Sequence, residues 1–184
     1  MSESPVQRIA VIGPGGAGKS RLARQLGQTL GIRLILLDRL FWKPGWIPTP
    51  PAEWEELQRS ESLSESWIVD GLHESTMHLW LDAADTVIFL DVSPVVSLWR
   101  VSRRRLGSNN HSELPPGCEP APSHRALVKF LLYQWEYRRR IRAKIVAQLE
   151  RRRGEAAIVV LRDAKDTEAF LQTLPARRVQ RDPA

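Results

Sequence analysis

Gly13-Pro14-Gly15-Gly16-Ala17-Gly18-Lys19-Ser20 is the stretch on which the reading of this 184-residue chain turns. It satisfies G-x-x-x-x-G-K-[ST], and it stands between the apolar run Arg8–Ile12 and a helical pattern of Leu22, Leu26 and Leu30 that stops at Gly31. Strand, glycine-rich turn and helix in that order are the context the motif requires. The bare pattern arises by accident in about one per cent of chains this long, and the setting makes an accident rarer still. Glycines let successive backbone N–H groups converge on phosphate oxygens without a Cβ in the way, and the helix N-terminus adds a partial positive charge of about half a unit. Gly13, Gly15, Gly16, Ala17 and Gly18 therefore form a phosphate cradle. Lys19 places an ammonium on β- and γ-phosphates, and Ser20 offers a hydroxyl to Mg²⁺. The ligand implied is ATP or another nucleoside triphosphate with magnesium.

Outward from this loop the chain alternates. The apolar runs Arg8–Ile12, Ile32–Leu37, Trp67–Val69, Thr86–Leu90 and Ala156–Leu161 are short, mostly unbroken and rich in Ile, Val and Leu, as strands covered on both faces are. Helical spacings lie between them: Trp54 and Leu57 after a proline-rich entry, and Val95, Leu98 and Trp99 after Pro94. Leu127, Leu131, Gln134, Ile141, Ile145 and Leu149 extend a long helical pattern from about His124 to Arg153, before Gly154. Alternating strand and helix predicts an α/β fold, a parallel sheet with helices on both faces. The length predicts one domain over residues 1–184. Two irregular stretches interrupt it: 38–51, with two Trp and four Pro, and 107–123, with four Pro among Gly, Ser and Asn. A loop as long as the second is commonly a lid or disordered.

Composition narrows the class. Net charge is +6, and 42% of residues are apolar, which excludes disordered and collagen-like chains. The single cysteine, Cys118, forms no internal disulfide and by itself supplies no four-ligand zinc site, so a reducing, cytoplasmic compartment is expected. No run approaches the roughly 18 apolar residues of a membrane span, and no membrane partner is expected. Between Ser97 and Arg153 stand 14 Lys and Arg against 4 Asp and Glu, so the basic excess is concentrated there. Solvated helix surface, bound phosphates and nucleic acid each account for such a region. Arg138, Arg139 and Arg140 stand about 100° apart on a helix, so one or two of them reach a single phosphate group; Arg138 and Arg139 are the candidates.

Ligands of open α/β sheets gather beyond the carboxyl ends of the strands. Asp70 closes Trp67-Ile68-Val69 and precedes Gly71, which makes it the candidate for holding Mg²⁺ through water, with an N-cap for a helix near Glu74 as the alternative. Asp38 closes the second strand, where it would orient or deprotonate an attacking hydroxyl, or else cap or pair. Asp91, before Ser93-Pro94, reads as a turn residue. Trp42 and Trp46 either stack on a planar acceptor or anchor the proline-rich stretch. His73 and His78, five apart on a predicted helix, read as packing or surface residues.

The phosphate loop together with Leu37-Asp38-Arg39-Leu40-Phe41-Trp42-Lys43-Pro44-Gly45-Trp46, Trp67-Ile68-Val69-Asp70-Gly71 and Ala84-Asp85-Thr86-Val87-Ile88-Phe89-Leu90-Asp91 resembles the adenylate-kinase-related P-loop proteins, and most of all the bacterial DNA-topology-modulation (FlaR-type) group. The resemblance runs from about Ile9 to Leu174. It implies a P-loop NTPase of the nucleoside-monophosphate-kinase-like type, a five-stranded parallel sheet in the order 2-3-1-4-5, an acceptor flap over about 38–66 and an arginine-bearing lid over about 100–140. It also implies roles for two arginines four apart on the helix entering the lid. Arg100 and Arg104 match them, one against adenine and one at phosphate, and helix geometry puts residues four apart on one face. Two departures stand out: the lid offers only His111 and Cys118 as metal ligands, and the flap lacks a nucleoside-monophosphate pattern.

The function expected is transfer of the γ-phosphoryl of ATP to a small-molecule acceptor, a nucleotide or nucleoside among the candidates, with Lys19, Asp38, Arg104, Arg138 and Arg139 acting on the reacting groups. The rival is a nucleotide-gated regulator whose arginines bind nucleic acid. Arginines converging on the pocket favour the first; an exposed basic stripe favours the second.

Overall fold

The computed structural model describes residues 7–106, 115–118, 132 and 136–174. The elements in chain order are β1 (Arg8–Ile12), α1 (Lys19–Leu30), β2 (Leu34–Leu36), α2 (Leu37–Phe41), β3 (Trp42–Lys43), β4 (Ile47–Pro48), α3 (Pro51–Ser62), β5 (Trp67–Asp70), α4 (Met77–Ala83), β6 (Thr86–Leu90) and α5 (Pro94–Leu106). A π-helical turn over Tyr137–Ile141, α6 (Arg142–Arg151), β7 (Ala157–Leu161) and α7 (Ala164–Thr173) complete them. The sheet runs β2-β5-β1-β6-β7 with every pairing parallel. β3 and β4 form a separate antiparallel hairpin; with those two set aside, the five strands read 2-3-1-4-5, as the resemblance implies.

Period-two alternation divides the sheet's side chains between two layers. Ile9, Val11, Ile68, Ile88 and Leu161 meet Leu22, Ala23 and Leu26 of α1 on one face. Ala10, Ile12, Val69, Val87 and Phe89 meet Trp54 of α3, Trp80 of α4 and Ile145 and Leu149 of α6 on the other. β1, β5 and β6 are buried almost throughout, which is why their sequences show no polar alternation. Each fully buried Leu or Ile contributes about 1.5–3 kcal/mol relative to exposure.

Three local expectations are corrected. β2 ends at Leu36 rather than Leu37, because its last partner, Asp70, is the final residue of β5. Beyond it the backbone has no ladder left and bonds internally as α2, so Asp38 lies in the first turn of a short helix and does not close the strand. The helix after β5 starts at Met77, not near Glu74, and His73 sits in the loop before it. The long helical pattern shows, within the described residues, a π-turn and then α6, which ends at Arg151 with the Arg152 guanidinium donating to the Ala84 carbonyl oxygen. Residues 124–131 lie outside the described residues.

Candidate active site

The carboxyl ends of β1, β5 and β6 converge where the phosphate loop turns into α1. The loop is pressed against its neighbours. A Cβ on Gly13 would stand 2.6 Å from the Leu90 carbonyl oxygen, and one on Gly16 would stand 2.5 Å from that of Ser97 on α5. Gly16 also has φ +79°, so both its conformation and the close approach of α5 demand glycine. Lys19 Nζ donates to the Pro14 carbonyl oxygen at 2.9 Å, which folds the ammonium over the loop. Arg100 Nη1 donates to the Ala17 carbonyl oxygen at 3.0 Å, so α5 delivers a second cation to the same loop.

Asp70 faces this cradle from the end of β5 and is only 7% exposed. Burial pushes its carboxyl above the ordinary range, and the Asp38 carboxylate adds to that; the Lys19 ammonium, a hydrogen bond from the Ser20 hydroxyl and Arg24 pull the other way. Oδ1 of Asp70 has no hydrogen-bond partner among the described residues. A buried carboxylate oxygen so placed, beside the Ser20 hydroxyl, fits a hydrated divalent cation held jointly with phosphate oxygens. Among the described residues no group of three or more His, Cys, Asp or Glu is placed to hold a metal ion, so magnesium here would rest on Ser20, Asp70 and the triphosphate itself.

An aromatic cluster joins α2, α3, the β3–β4 hairpin and the loop before α4. The His73 ring lies tilted against Phe41 at 4.4 Å between centroids and edge-on to Trp54 at 4.9 Å, and its burial lowers its pKa while Asp38 opposes that shift. Phe41 packs edge-on against Trp42, and Trp42 against Trp46 at 5.6 Å, so these rings anchor the β3–β4 hairpin on one another. Trp46 remains 37% exposed at the hairpin tip. Behind the wall, the fully buried Gln58 donates from Nε2 to Thr76 Oγ1 at 2.8 Å and accepts from Trp80 Nε1 at 2.9 Å, tying α3 to the start of α4.

A turn from the proline-rich loop docks on the hairpin tip. Cys118 N donates to the Pro115 carbonyl oxygen, and Gly117 has φ +70°, the geometry of a type II turn with Pro116 leading. Gly45 N donates to the Gly117 carbonyl oxygen at 3.0 Å, and Cys118 Sγ donates to that of Lys43 at 3.5 Å. A Cβ on Gly117 would stand 2.8 Å from Pro44 Cβ. Gly117→Ala is therefore expected to release the turn. Because Cys118 is the chain's single cysteine and is buried, its reaction rate with a maleimide reads this directly: slow in the parent and faster in the variant. Equal rates would mean that the turn does not hold the hairpin.

Of the sequence-selected residues, the structure brings Lys19, Ser20, Asp70 and Arg100 to one place, with Asp38 close enough to influence Asp70. Arg104 lies on α5 and Arg138 and Arg139 in the π-turn, but their side chains lie outside the described residues. Arg140 pairs with Glu136 at 3.0 Å. Asp91 is more than a turn residue, since Arg142 grips both its oxygens. The packing role read for His73 holds, against Phe41 and Trp54, but on a loop rather than on a helix. Sequence reasoning missed Gln58 and Arg24; four-residue spacing from Ser20 could have found Arg24, and nothing marks Gln58.

No family model matches the chain. Over 136 residues, 66% of this chain and 78% of its relative, it is 28% identical to the shikimate kinase of Rhodococcus erythropolis. Among solved structures it is similar to a shikimate kinase from Acinetobacter baumannii, with TM-score 0.56 and 14% identity over 91% of this chain and 90% of that one. A gluconokinase from Sinorhizobium meliloti gives TM-score 0.51 and 18% identity over 94% and 95%. Fold and phosphate loop together are those of a P-loop nucleotide-binding α/β protein, and the proteins that the chain is similar to here are small-molecule kinases.

Proposed function

We propose that the protein, acting as one cytoplasmic domain, transfers the γ-phosphoryl of Mg²⁺-bound ATP to a hydroxyl of a small acceptor held between Asp38, His73 and the β3–β4 hairpin. The observation that carries this is Asp70. Its carboxylate is buried at the phosphate edge, has one oxygen without a hydrogen-bond partner among the described residues, accepts from the Ser20 hydroxyl and feels the charges of Lys19 and Asp38. Magnesium, when bound, neutralises charge on the β- and γ-phosphates. Lys19 moves from the Pro14 carbonyl to those oxygens, Arg100 holds the loop from α5, and Asp38 orients the acceptor hydroxyl. Positioning and charge neutralisation supply most of the rate in such a transfer. Within the class, the stretch Asp38–Trp46 is our ground for placing the chain with the FlaR-type group.

The rival nucleic-acid reading needs an exposed basic stripe. Arg140, Arg142, Lys144, Arg152 and Arg153 instead each pair with a carboxylate, which ties these five to the protein itself, while Arg103 and Arg151 stay exposed. ADP release from ATP and magnesium, measured with nucleosides, nucleoside monophosphates and small hydroxy acids including shikimate, tests the proposal. Release that rises with one acceptor class supports it, and release indifferent to every acceptor counts against it.

Arg104 and Arg103 separate directed chemistry from general basicity. Arg103 lies over the Trp99 ring at 5.3 Å on the exposed side of α5. Arg104→Ala is expected to lower kcat/KM by about 10- to 150-fold, the worth of one charge-assisted contact, while Arg103→Ala is nearly silent. Equal small effects would remove Arg104 from the site.

A further inference from the structure

Among the described residues, Trp46 at the hairpin tip is the one non-glycine residue with a positive φ, +62°. Glycine and asparagine enter that left-handed region readily; a bulky aromatic residue rarely does. The strain persists because the tip is held from both sides. Gly45 N donates to the Gly117 carbonyl oxygen at 3.0 Å on one side, and on the other Thr49 donates both its N–H and its hydroxyl to the Phe41 carbonyl oxygen at 2.8 Å. Residues kept strained by surroundings of this kind cluster at ligand clamps. Trp54, Trp67 and Trp80 are sunk in the core, whereas the Trp46 ring stays partly exposed. From it a row of rings runs back through Trp42 to Phe41, and Phe41 touches His73. The row starts at the carboxyl end of β5: Leu37, the first residue of α2, packs so closely that a Cβ on Gly71 would stand 3.2 Å from its own. Asp38 follows Leu37, and it shares a face of α2 with Phe41, three residues on.

We propose that Trp46 is a specificity-determining contact for the acceptor: the strained tip presents its indole to a ring with an apolar face, a cyclic polyol or a nucleobase, whose hydroxyl reaches Asp38, so that cyclic acceptors are selected over open-chain ones. The inference rests on the kinase reading above and gives its acceptor a chemical class. A rigid ring laid on an indole removes apolar surface from water with few rotors to freeze, while an open chain loses rotor freedom to make the same contact.

Binding tests this without turnover. With magnesium and the β,γ-imido analogue of ATP present in saturating amount, the parent, Trp46→Phe, Trp46→Asn and Trp46→Gly chains are titrated with probes matched in their polar groups: inositol against sorbitol, and shikimate against gluconate. Thymidine is the nucleobase arm, and each chain is also melted. The parent is expected to bind at least one ring probe about tenfold more tightly than the open-chain probes. Trp46→Phe should keep most of that ratio. Trp46→Gly and Trp46→Asn, both suited to a left-handed backbone, should abolish it with the affinity for the ATP analogue retained. Thymidine binding alone would mark the ring as a nucleobase, and inositol or shikimate binding as a cyclic polyol. A ratio unchanged by the substitutions would make Trp46 an anchor of the hairpin, whatever the melting temperatures, and overturn the proposal. A parent that binds no ring probe, or binds the open-chain probes equally well, overturns it too. The kinase reading is judged apart, by ADP release: release driven by gluconate or sorbitol sinks this inference and leaves that reading standing.

Discussion

Lys19→Ala is expected to weaken ATP binding by about 10- to 150-fold, because the ammonium's charge-assisted contacts to the β- and γ-phosphates are each worth about 1.5–3 kcal/mol. Turnover should fall further, by about 10²- to 10³-fold, as happens when one preorganised donor is removed from developing charge. Adenosine binding should be unchanged, since adenosine has nothing for the ammonium to meet. The fold should tolerate the change, since the hydrogen bond that the ammonium makes is to the Pro14 carbonyl within the loop itself. Titrations with ATP, ADP and adenosine check the pattern, and equal losses for all three would take Lys19 out of its role.

Asp70→Asn should act in two directions at once. Magnesium affinity in the presence of ATP should drop about 10- to 100-fold, the usual loss when a group supporting a bound metal is neutralised, while ATP binding in chelator stays close to the parent's. Stability without ligand should move the other way. Burial raises the Asp70 pKa in the folded chain, so the folded state holds this proton more tightly than the unfolded one. Stability therefore declines as pH rises from the unfolded carboxylate value through the raised folded value, and the cost is fully present above it. Asparagine carries no such cost. The variant should melt above the parent at neutral pH, and the gap should close as pH falls through about 4. Paired melts in chelator across that range decide the matter; a variant less stable than the parent at neutral pH would show that the carboxylate is held there without strain. A site residue that lowers the stability of its own fold is the pattern expected where a charge is kept buried for a ligand.

Physical locality separates what could be read from the amino acids from what could not. The phosphate loop, its strand and its helix were legible because every requirement there is local: glycines at a crowded turn, Leu22 and Leu26 on one helical face, Gly31 as a stop. The buried strands β1, β5 and β6 were legible for the same reason, since burial on both faces writes an unbroken apolar run into the chain. Strand order was reached only through resemblance, because the pairing of β5 between β2 and β1 joins residues far apart in the chain.

Contacts at long sequence separation were decided by tertiary structure alone. Asp38 was displaced from its strand because β5 runs out of partners at Asp70, a fact about a neighbouring strand rather than about residues 34–38. His73 became part of an aromatic wall because Phe41 of α2 and Trp54 of α3 close on its loop. Asp91 and Arg142, 51 residues apart, found one another only because the sheet and α6 meet there. Chain chemistry determined the glycine-rich phosphate loop between its strand and helix; packing decided which acids, aromatics and arginines surround it, because a side chain's neighbours across the fold leave no periodic trace in its own segment.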